Sequence, residues 1–578
     1  MAKFITQETF DEVVKENMED FDMDRESAAR DAVGQFNAQG ADLSNVDTSA
    51  DGVRRDARAA IKDHVERLRG FDLNDRGKGE GVPTSGCLEA LSSVGNMCRE
   101  EGAAGESNRT AVGEAGGVGA IARFLGGDAD ESPPSGVVLA ALNTLQDVCK
   151  NSERNRDAFI YRNMDQLTSL LVRWTNTPAP HTGSRSTNGP GDGAVGDSDA
   201  PVEGTVEPEP ISGDAESMDK DKDQDKALLV AAGLKTVRIV CTKAENNKGS
   251  FMRRKGADIL VETLRRYGAG EGRDATVTRE ACAALRSLTL ADDRRKDFSG
   301  TYDNVKALVS AGVIPLLLEA ARASEEDSIT LSPVFLALKQ LAANDESVKL
   351  IVENGGLDLV SGAVVAFPQE AVVCRTALSL FRNISANDIL KTRLLHEGGL
   401  MLVLGCMAQH QNDKTLQATD MFTRPLAEHG CATMAAMSLR SPPNGAQIVR
   451  EGGITAVVQA MRRHPTVQPL QRQACLCIRN IAARGPSLRT PMLDEGCEPV
   501  LREAGKLRGC VDEAYGALRD LQCEVGLVTM GESGKVHIGV TAFGEEKPNF
   551  NPSLQETKDL GERIEGSATA PAHSGHRL

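Results

Sequence analysis

HEGGLMLVL, residues 396–404, decides the reading of this chain, because near-copies of it recur. They are EAGGVGAIA from Glu114, SAGVIPLLL from Ser310, ENGGLDLVS from Glu353, REGGITAVV from Arg450 and DEGCEPVLR from Asp494. Each is a small-residue turn followed at once by an apolar helix start. The first small residues are Gly116, Gly256, Gly312, Gly355, Gly398, Gly452 and Gly496, the last five at intervals of 43, 43, 54 and 44 residues. Glycine tolerates a left-handed backbone, so it ends one helix and lets the next leave at a sharp corner.

A second marker keeps the same period. LRSL from Leu285, LKQL from Leu338, FRNI from Phe381, IRNI from Ile478 and LRDL from Leu518 share an apolar, basic, polar, apolar order. Their basic residues, Arg286, Lys339, Arg382, Arg479 and Arg519, stand 53, 43, 97 and 40 apart, and the 97 conceals a degenerate copy near Ala435. Ala377, Leu380, Phe381 and Ile384 fall at i, i+3, i+4 and i+7, the stripe of a helix with one buried face. Each unit is therefore expected to hold a short helix, a glycine corner, a second helix and a longer third helix that ends in the signature. No such unit buries its stripe alone, so neighbours must stack. The expected fold class is all-α, a right-handed superhelical solenoid of three-helix repeats.

These units resemble armadillo repeats, in which a short helix precedes two longer ones. LSLFRNISA from Leu378 and CLCIRNIAA from Cys475 approach the end of that family's third helix. The non-repetitive head, from Phe4 to Val46, resembles the N-terminal region of one branch of the family. That similarity continues from Arg279 to LRDLQC and leaves out residues 178–224 and the tail beyond about 526. The resemblance implies a cytosolic scaffold with no catalytic residue set to transfer.

Composition limits the alternatives. At 578 residues the chain exceeds one ordinary domain. A formal charge of -17 argues against a nucleic-acid or anionic-membrane surface. Aromatics make up only 3%, which suits aliphatic cores between close helices. The thirteen Cys have no C-x-x-C pair and read as buried thiols in a reducing compartment, so a cytoplasmic or nuclear protein is expected. The polar N-terminus offers no signal peptide, and no apolar run is long enough to span a bilayer.

The organisation expected is a helical pair over 1–46 that caps the array, degenerate repeats over 47–177, a disordered acidic insertion over 178–224, repeats over 225–525 and an irregular tail over 526–578. The insertion holds eleven acidic against three basic residues and no aromatic, too little apolar surface to fold. In the head, Phe10, Val13, Val14, Asn17 and Phe21 form one apolar edge interrupted by Asn17, and Ala28, Ala29, Ala32, Val33 and Phe36 form another.

No catalytic constellation is legible. GVGAIA from Gly117 has a dinucleotide-like spacing, but its glycines are the repeat's own corner and no strand precedes it. GESGK at Gly531 has Thr529 where a phosphate loop needs glycine and Val536 where it needs a magnesium ligand. His396 and Glu397 lack the second His of a zinc peptidase, and Asp292 and Asp293 are expected to be solvated at a helix end. No enzyme, metal or cofactor is expected.

The surface left is the groove lined by third helices. The polar member of the signature and the residues one and two turns before it pick Ser287, Gln340, Ser379, Asn383, Gln473, Asn480 and Asp520, with Glu280, Arg375 and Asn387 flanking. Nuclear-import relatives hold a ladder of Asn there with Trp one turn earlier. Here only Asn383 and Asn480 keep Asn and Trp174 is elsewhere, so that role is not expected. The function expected is a non-enzymatic scaffold that grips an extended or basic segment of a protein partner, with no nucleic acid and no membrane. The alternative is a transport adaptor or chaperone-like carrier that reads one motif in many clients.

Overall fold

The computed structural model describes residues 3–21, 23–39, 41–43, 51–71, 84–126, 133–159, 162–176, 214–270, 272–411, 425–530 and 536–541. Among these the fold is an all-α armadillo solenoid, with short strand pairs only near the two ends. It divides into two compact units, Met1–Met437 and Ser438–Leu578.

The third helices carry the array and are labelled in chain order. In the first unit they are α1 (Thr84–Arg99), α2 (Ser135–Cys149), α3 (Asp214–Cys241), α4 (Ala275–Leu288), α5 (Ser328–Leu341), α6 (Ala371–Ile384) and α7 (Leu426–Ser438); in the second they are α8 (Gln468–Ala482) and α9 (Val511–Asp520). Each packs on the next from α1 through α6, and α8 packs on α9. The apolar stripe read from the sequence is the core: Ala377, Leu380, Phe381 and Ile384 are all fully buried. Polar rungs fix the register between neighbours. Thr144 of α2 donates to the Leu91 carbonyl of α1 at 3.0 Å, and Thr433 of α7 to the Leu378 carbonyl of α6 at 2.9 Å.

The corners take the form expected of glycine. Gly116, Gly312, Gly355, Gly398, Gly452 and Gly496 all have φ between 68° and 86°. The helices flanking Gly312, Thr301–Ser310 and Val313–Ala323, meet at 73°. The marker Gly256 is one residue late: Lys255 takes the left-handed conformation at φ 61°. Gly256 corresponds instead to the second glycine of the pair. A Cβ there would stand 2.5 Å from the Phe251 ring, as one at Gly399 would stand 2.4 Å from Leu394. The second glycine thus lets the second helix start against the first, a requirement of space rather than of φ.

The head pairs helix Gln7–Phe21 with helix Arg25–Ala38 over a core of Phe10, Val14, Ala28, Ala29, Ala32 and Phe36, to which Ile5, Val13, Met18, Met23, Val33, Ala41 and Leu43 add. These residues all belong to the head, so it has a core of its own. Asn17 is buried in it, donating to the Ala28 carbonyl at 3.2 Å and accepting from Gln35 at 3.1 Å, whereas Phe21 is 65% exposed.

Two boundaries differ from expectation. Residues 178–213 of the acidic insertion lie outside the described residues, but from Asp214 onward the chain is already helical, as α3 extends over a stretch rich in Asp and Lys. The tail is not irregular where it begins: Val525–Met530 pairs antiparallel with Val536–Thr541. Val525, Leu527, Val536, Ile538 and Val540 supply the β-branched and aliphatic residues that a ladder favours, a pattern too short to compete with the glycines around it in a reading of composition. Residues 542–578 lie outside the described residues.

Candidate functional site

The apolar members of each signature are buried in the core, and the polar residues expected to line the third-helix face divide by what they touch. Ser287 and Ser379 are buried, donating to the carbonyls of Ala284 at 2.9 Å and Arg375 at 2.8 Å on their own helices; Ser379 also lies 2.9 Å from Nδ1 of His429. Asn383 donates to the carbonyls of Lys339 at 3.0 Å and Ala342 at 3.3 Å, closing the C-terminal end of α5. Asn387 is buried and caps the short helix Asp388–His396 through the amides of Ile389 and Leu390. Asp520 pairs with Arg479 of the preceding third helix at 3.5 Å, and Glu280 with Arg238 at 3.1 Å. Gln340, Gln473 and Asn480 are half-buried, and Arg375 is buried. Ser287, Ser379, Asn383, Asn387 and Asp520 therefore act first within and between repeats, through carbonyls of their own or a neighbouring helix, helix-start amides and, for Asp520, an ion pair.

An Asn ladder does exist, on the short first helices. Asn155 donates to the carbonyls of Arg109 and Val148, Asn247 to those of Arg156 and Val240, Asn108 to that of Met97 and Asn304 to that of Leu288. Each staples its helix to the end of the third helix before it. The signal was in the sequence: Asn108, Asn247, Asn304 and Asn444 all stand eight residues before a left-handed corner.

Apolar surface is also open to solvent on this face. A trough of about 420 Å³ crosses α4, α5 and α6, lined by Ala283 and Arg286, by Ile329, Pro333 and Leu336, and by Glu370 and Val372. Ile329 is 70% exposed and Val372 45%. Pro333 sits inside α5, and because proline has no N–H it leaves the carbonyl of Ile329 without its helical donor. None of the trough's apolar residues was picked from the sequence, since an apolar residue on a helix reads as core until its neighbours are placed.

Helices α4, α5 and α6 carry Arg279, Arg286, Lys339, Arg375 and Arg382 against Glu280 within their spans, and Glu370, just before α6, also lines the trough. Asp274 and Asp327, at the N-terminal edge, each accept backbone N–H bonds from their own helix. The chain's net charge sits largely elsewhere, notably in the insertion.

Asp292 and Asp293 are not solvated helix-end carboxylates. Asp292 takes the fully buried ammonium of Lys248 at 2.6 Å, and Asp293 takes Arg295 at 2.8 Å, while Arg295 also reaches Asp157 at 2.7 Å. The hydrogen bond from Arg295, with backbone N–H groups of Glu245 and Arg295, holds the Asp293 carboxyl far below the usual carboxylate range. The pair ties down the loop between Leu288 and Thr301. All thirteen Cys are buried. Burial pushes the thiols of Cys98 and Cys282 up to about 12. Cys374 goes the other way, lowered by a hydrogen bond from Cys406 and by His410. Among the described residues no group of three or more His, Cys, Asp or Glu could hold a metal ion.

The family model described as ARMC6 matches residues 216–535, and the armadillo repeat-containing protein 6 N-terminal domain matches residues 2–67. The chain belongs to the armadillo repeat-containing protein 6 family. It is 28% identical over 351 residues to armadillo repeat-containing protein 6 of Pongo abelii and of Homo sapiens, covering 60% of this chain and 56% of each relative. It is 24% identical over 350 residues to the Drosophila melanogaster homolog, covering 60% of each. The alignments thus span less than two thirds of these relatives. A solved structure concerned with the interaction between cadherin and beta-catenin is 14% identical, covers 82% of this chain and 97% of its own, and has a TM-score of 0.37. Armadillo repeat families are typically non-catalytic, and membership suggests a protein-interaction scaffold.

Proposed function

We propose that this chain is a non-enzymatic scaffold that holds a segment of a protein partner along the third-helix face of its central repeats. The supporting observation is the trough on α4, α5 and α6, where Ile329 and Val372 stand in solvent although the same helices bury nearly all their other aliphatic side chains. Exposed apolar surface gathered in a concavity is favourable to cover and unfavourable to leave wet. The buried, unbridged thiols fit a reducing compartment such as the cytoplasm.

Crosslinking with mass spectrometry in native lysate tests the reading. Crosslinks from Lys339 to a small number of partners, lost on Ile329→Asp, are the expected outcome. Crosslinks confined to the first and second helices would remove the third-helix face from consideration. Many clients sharing one linear motif would turn the scaffold into a carrier.

A further inference from the structure

We propose that Cys374 and Cys406 form a peroxide-sensing thiol pair, oxidised to a disulfide that ties α6 to the second helix of the following repeat. Cys374 lies in the first turn of α6 and Cys406 in the last turn of helix Gly399–Gln409. The pair is independent of whatever the trough holds.

The junction is laced by polar contacts. Gln409 donates to Gln369 at 2.7 Å and Nε2 of His410 to the Pro368 carbonyl at 2.9 Å, so the end of the second helix is fixed on the loop that leads into α6. The Cys374 sulfur lies 3.6 and 3.7 Å from the carbonyl oxygens of Phe367 and Pro368 in that same loop. Thiols are weak donors, so these contacts place the sulfur more than they hold its proton. From the neighbouring helix the Cys406 thiol donates a hydrogen bond to Cys374, which brings the two sulfurs together.

The two thiols are not equivalent. The bond from Cys406 and the neighbouring His410 bring the Cys374 thiol down to about 7, while the same bond and burial raise Cys406. The thiolate is the nucleophilic form, and a thiolate beside a thiol that can resolve its oxidation product is the arrangement of a redox sensor. Cys98 and Cys149 supply the contrast. They also feel each other's charge, but burial pushes both up to about 12, so neither attacks at neutral pH. Both sulfurs of the proposed pair are buried, yet Pro368 and Gln369 are exposed and His410 is half-buried, so the pair sits just beneath the surface. A peroxide has only two heavy atoms and needs only a small opening at the contact between His410 and Pro368.

The oxidant is hydrogen peroxide. The Cys374 thiolate attacks one peroxide oxygen, the O–O bond breaks, and the departing hydroxide takes up a proton to become water, leaving a sulfenic acid on Cys374. The Cys406 sulfur then attacks the Cys374 sulfur, the S–O bond breaks, and the oxygen leaves as water with the Cys406 proton. Two thiols have lost two electrons and two protons, and one peroxide has become two waters. In a reducing compartment such a bond is transient and reports an oxidant.

The test treats the full, reduced chain with hydrogen peroxide, blocks free thiols with iodoacetamide in denaturant and digests without reductant for mass spectrometry. Peptides carrying Cys374 and Cys406 appear joined, two hydrogens lighter than their sum, before any other cysteine pair, and dithiothreitol separates them. In Cys406→Ser the Cys374 sulfenic acid persists and is captured by dimedone; in Cys374→Ser no linkage forms and Cys406 is alkylated. His410→Gln slows linkage about fivefold or more, because less of Cys374 is thiolate. Both serine variants alter buried side chains, so the parent chain is decisive. Linkage of Cys98 to Cys149 at the same rate, sulfinic acid on Cys374 without linkage, or thiols at both positions after excess peroxide would each overturn the proposal, as would linkage formed only in the unfolded chain. An unchanged rate in His410→Gln would remove Cys374 as the attacking thiolate.

Discussion

The third-helix faces of the two compact units carry the same signature but differ in how its charge is used. On α4, α5 and α6 there are five basic side chains and one acidic; on α8 and α9 there are Arg472, Arg479 and Arg519 against Asp512, Glu513 and Asp520. In the second unit these charges answer each other, Arg472 with Glu513 at 2.7 Å and Arg479 with Asp520 at 3.5 Å. The positions equivalent to Glu513 and Asp520 are Pro333 and Gln340 on α5 and Thr376 and Asn383 on α6, none of them a carboxylate. One repeat motif thus supports two charge balances, even on α8 and α9 and weighted to basic residues within α4, α5 and α6. The difference lies in two positions of the following helix, the register of Glu513 and the polar member of the signature, which is Asp520 on α9 and Gln340 and Asn383 on α5 and α6.

The largest effect should be common to both faces and so should not separate them. Leu380→Ala in the first unit and Ile478→Ala in the second, both fully buried, should each cost roughly 3 kcal/mol in chemical denaturation. A much smaller loss at one site would mean that its stack is looser than the contacts indicate. Asn383→Ala should cost about 1 kcal/mol, because two carbonyls of α5 lose their donor. An unchanged melting curve with lost partner capture would return Asn383 to the ligand-gripping role that its position in the repeat suggested.

Charge reversal addresses the contrast directly. Arg479→Glu places like charge against Asp520 and should lower stability by about 1 kcal/mol, while Arg382→Glu should change it by less than about 0.5 kcal/mol. Equal losses would show that the central strip is stitched as firmly as the second unit. Asp293 supplies a pH-dependent reading of the central region. Its folded carboxyl is held far below its unfolded value of about 4, so its contribution is present above that value and is lost as pH falls further. The stability gap between the parent and Asp293→Asn should therefore narrow as pH drops from about 5 towards 2. The smallest effect is at Lys255, a left-handed corner without glycine. Lys255→Gly relieves a left-handed conformation and should raise stability by at most about 1 kcal/mol, because glycine's greater unfolded-state freedom offsets part of the gain.

Much of this architecture is legible in the residues. Corner glycines and the apolar stripe are local properties: a left-handed φ and a period of 3.6 act within a few residues, so Gly398 and Leu380 declare their roles without reference to distant partners. The first-helix Asn ladder was equally legible at its constant offset from the corner, although glycine and the signature drew attention first. The candidate site was less so. Asn383 and Asn387 looked like groove residues because their helical register faces outward, yet each meets orphan backbone groups at a helix end. Asp292 and Asp293 looked solvated because Lys248 and Asp157 lie far away in the chain.

Period, helix order and core stripe follow from amino-acid sequence alone, because each rests on interactions within one repeat. Which polar side chains stay available, where apolar surface remains in water and what sign of charge surrounds it depend on pairs such as Arg238 with Glu280 and Lys248 with Asp292, each more than forty residues apart. Stacking creates those pairs, and a linear reading has no means of choosing among the many carboxylates that could have filled them.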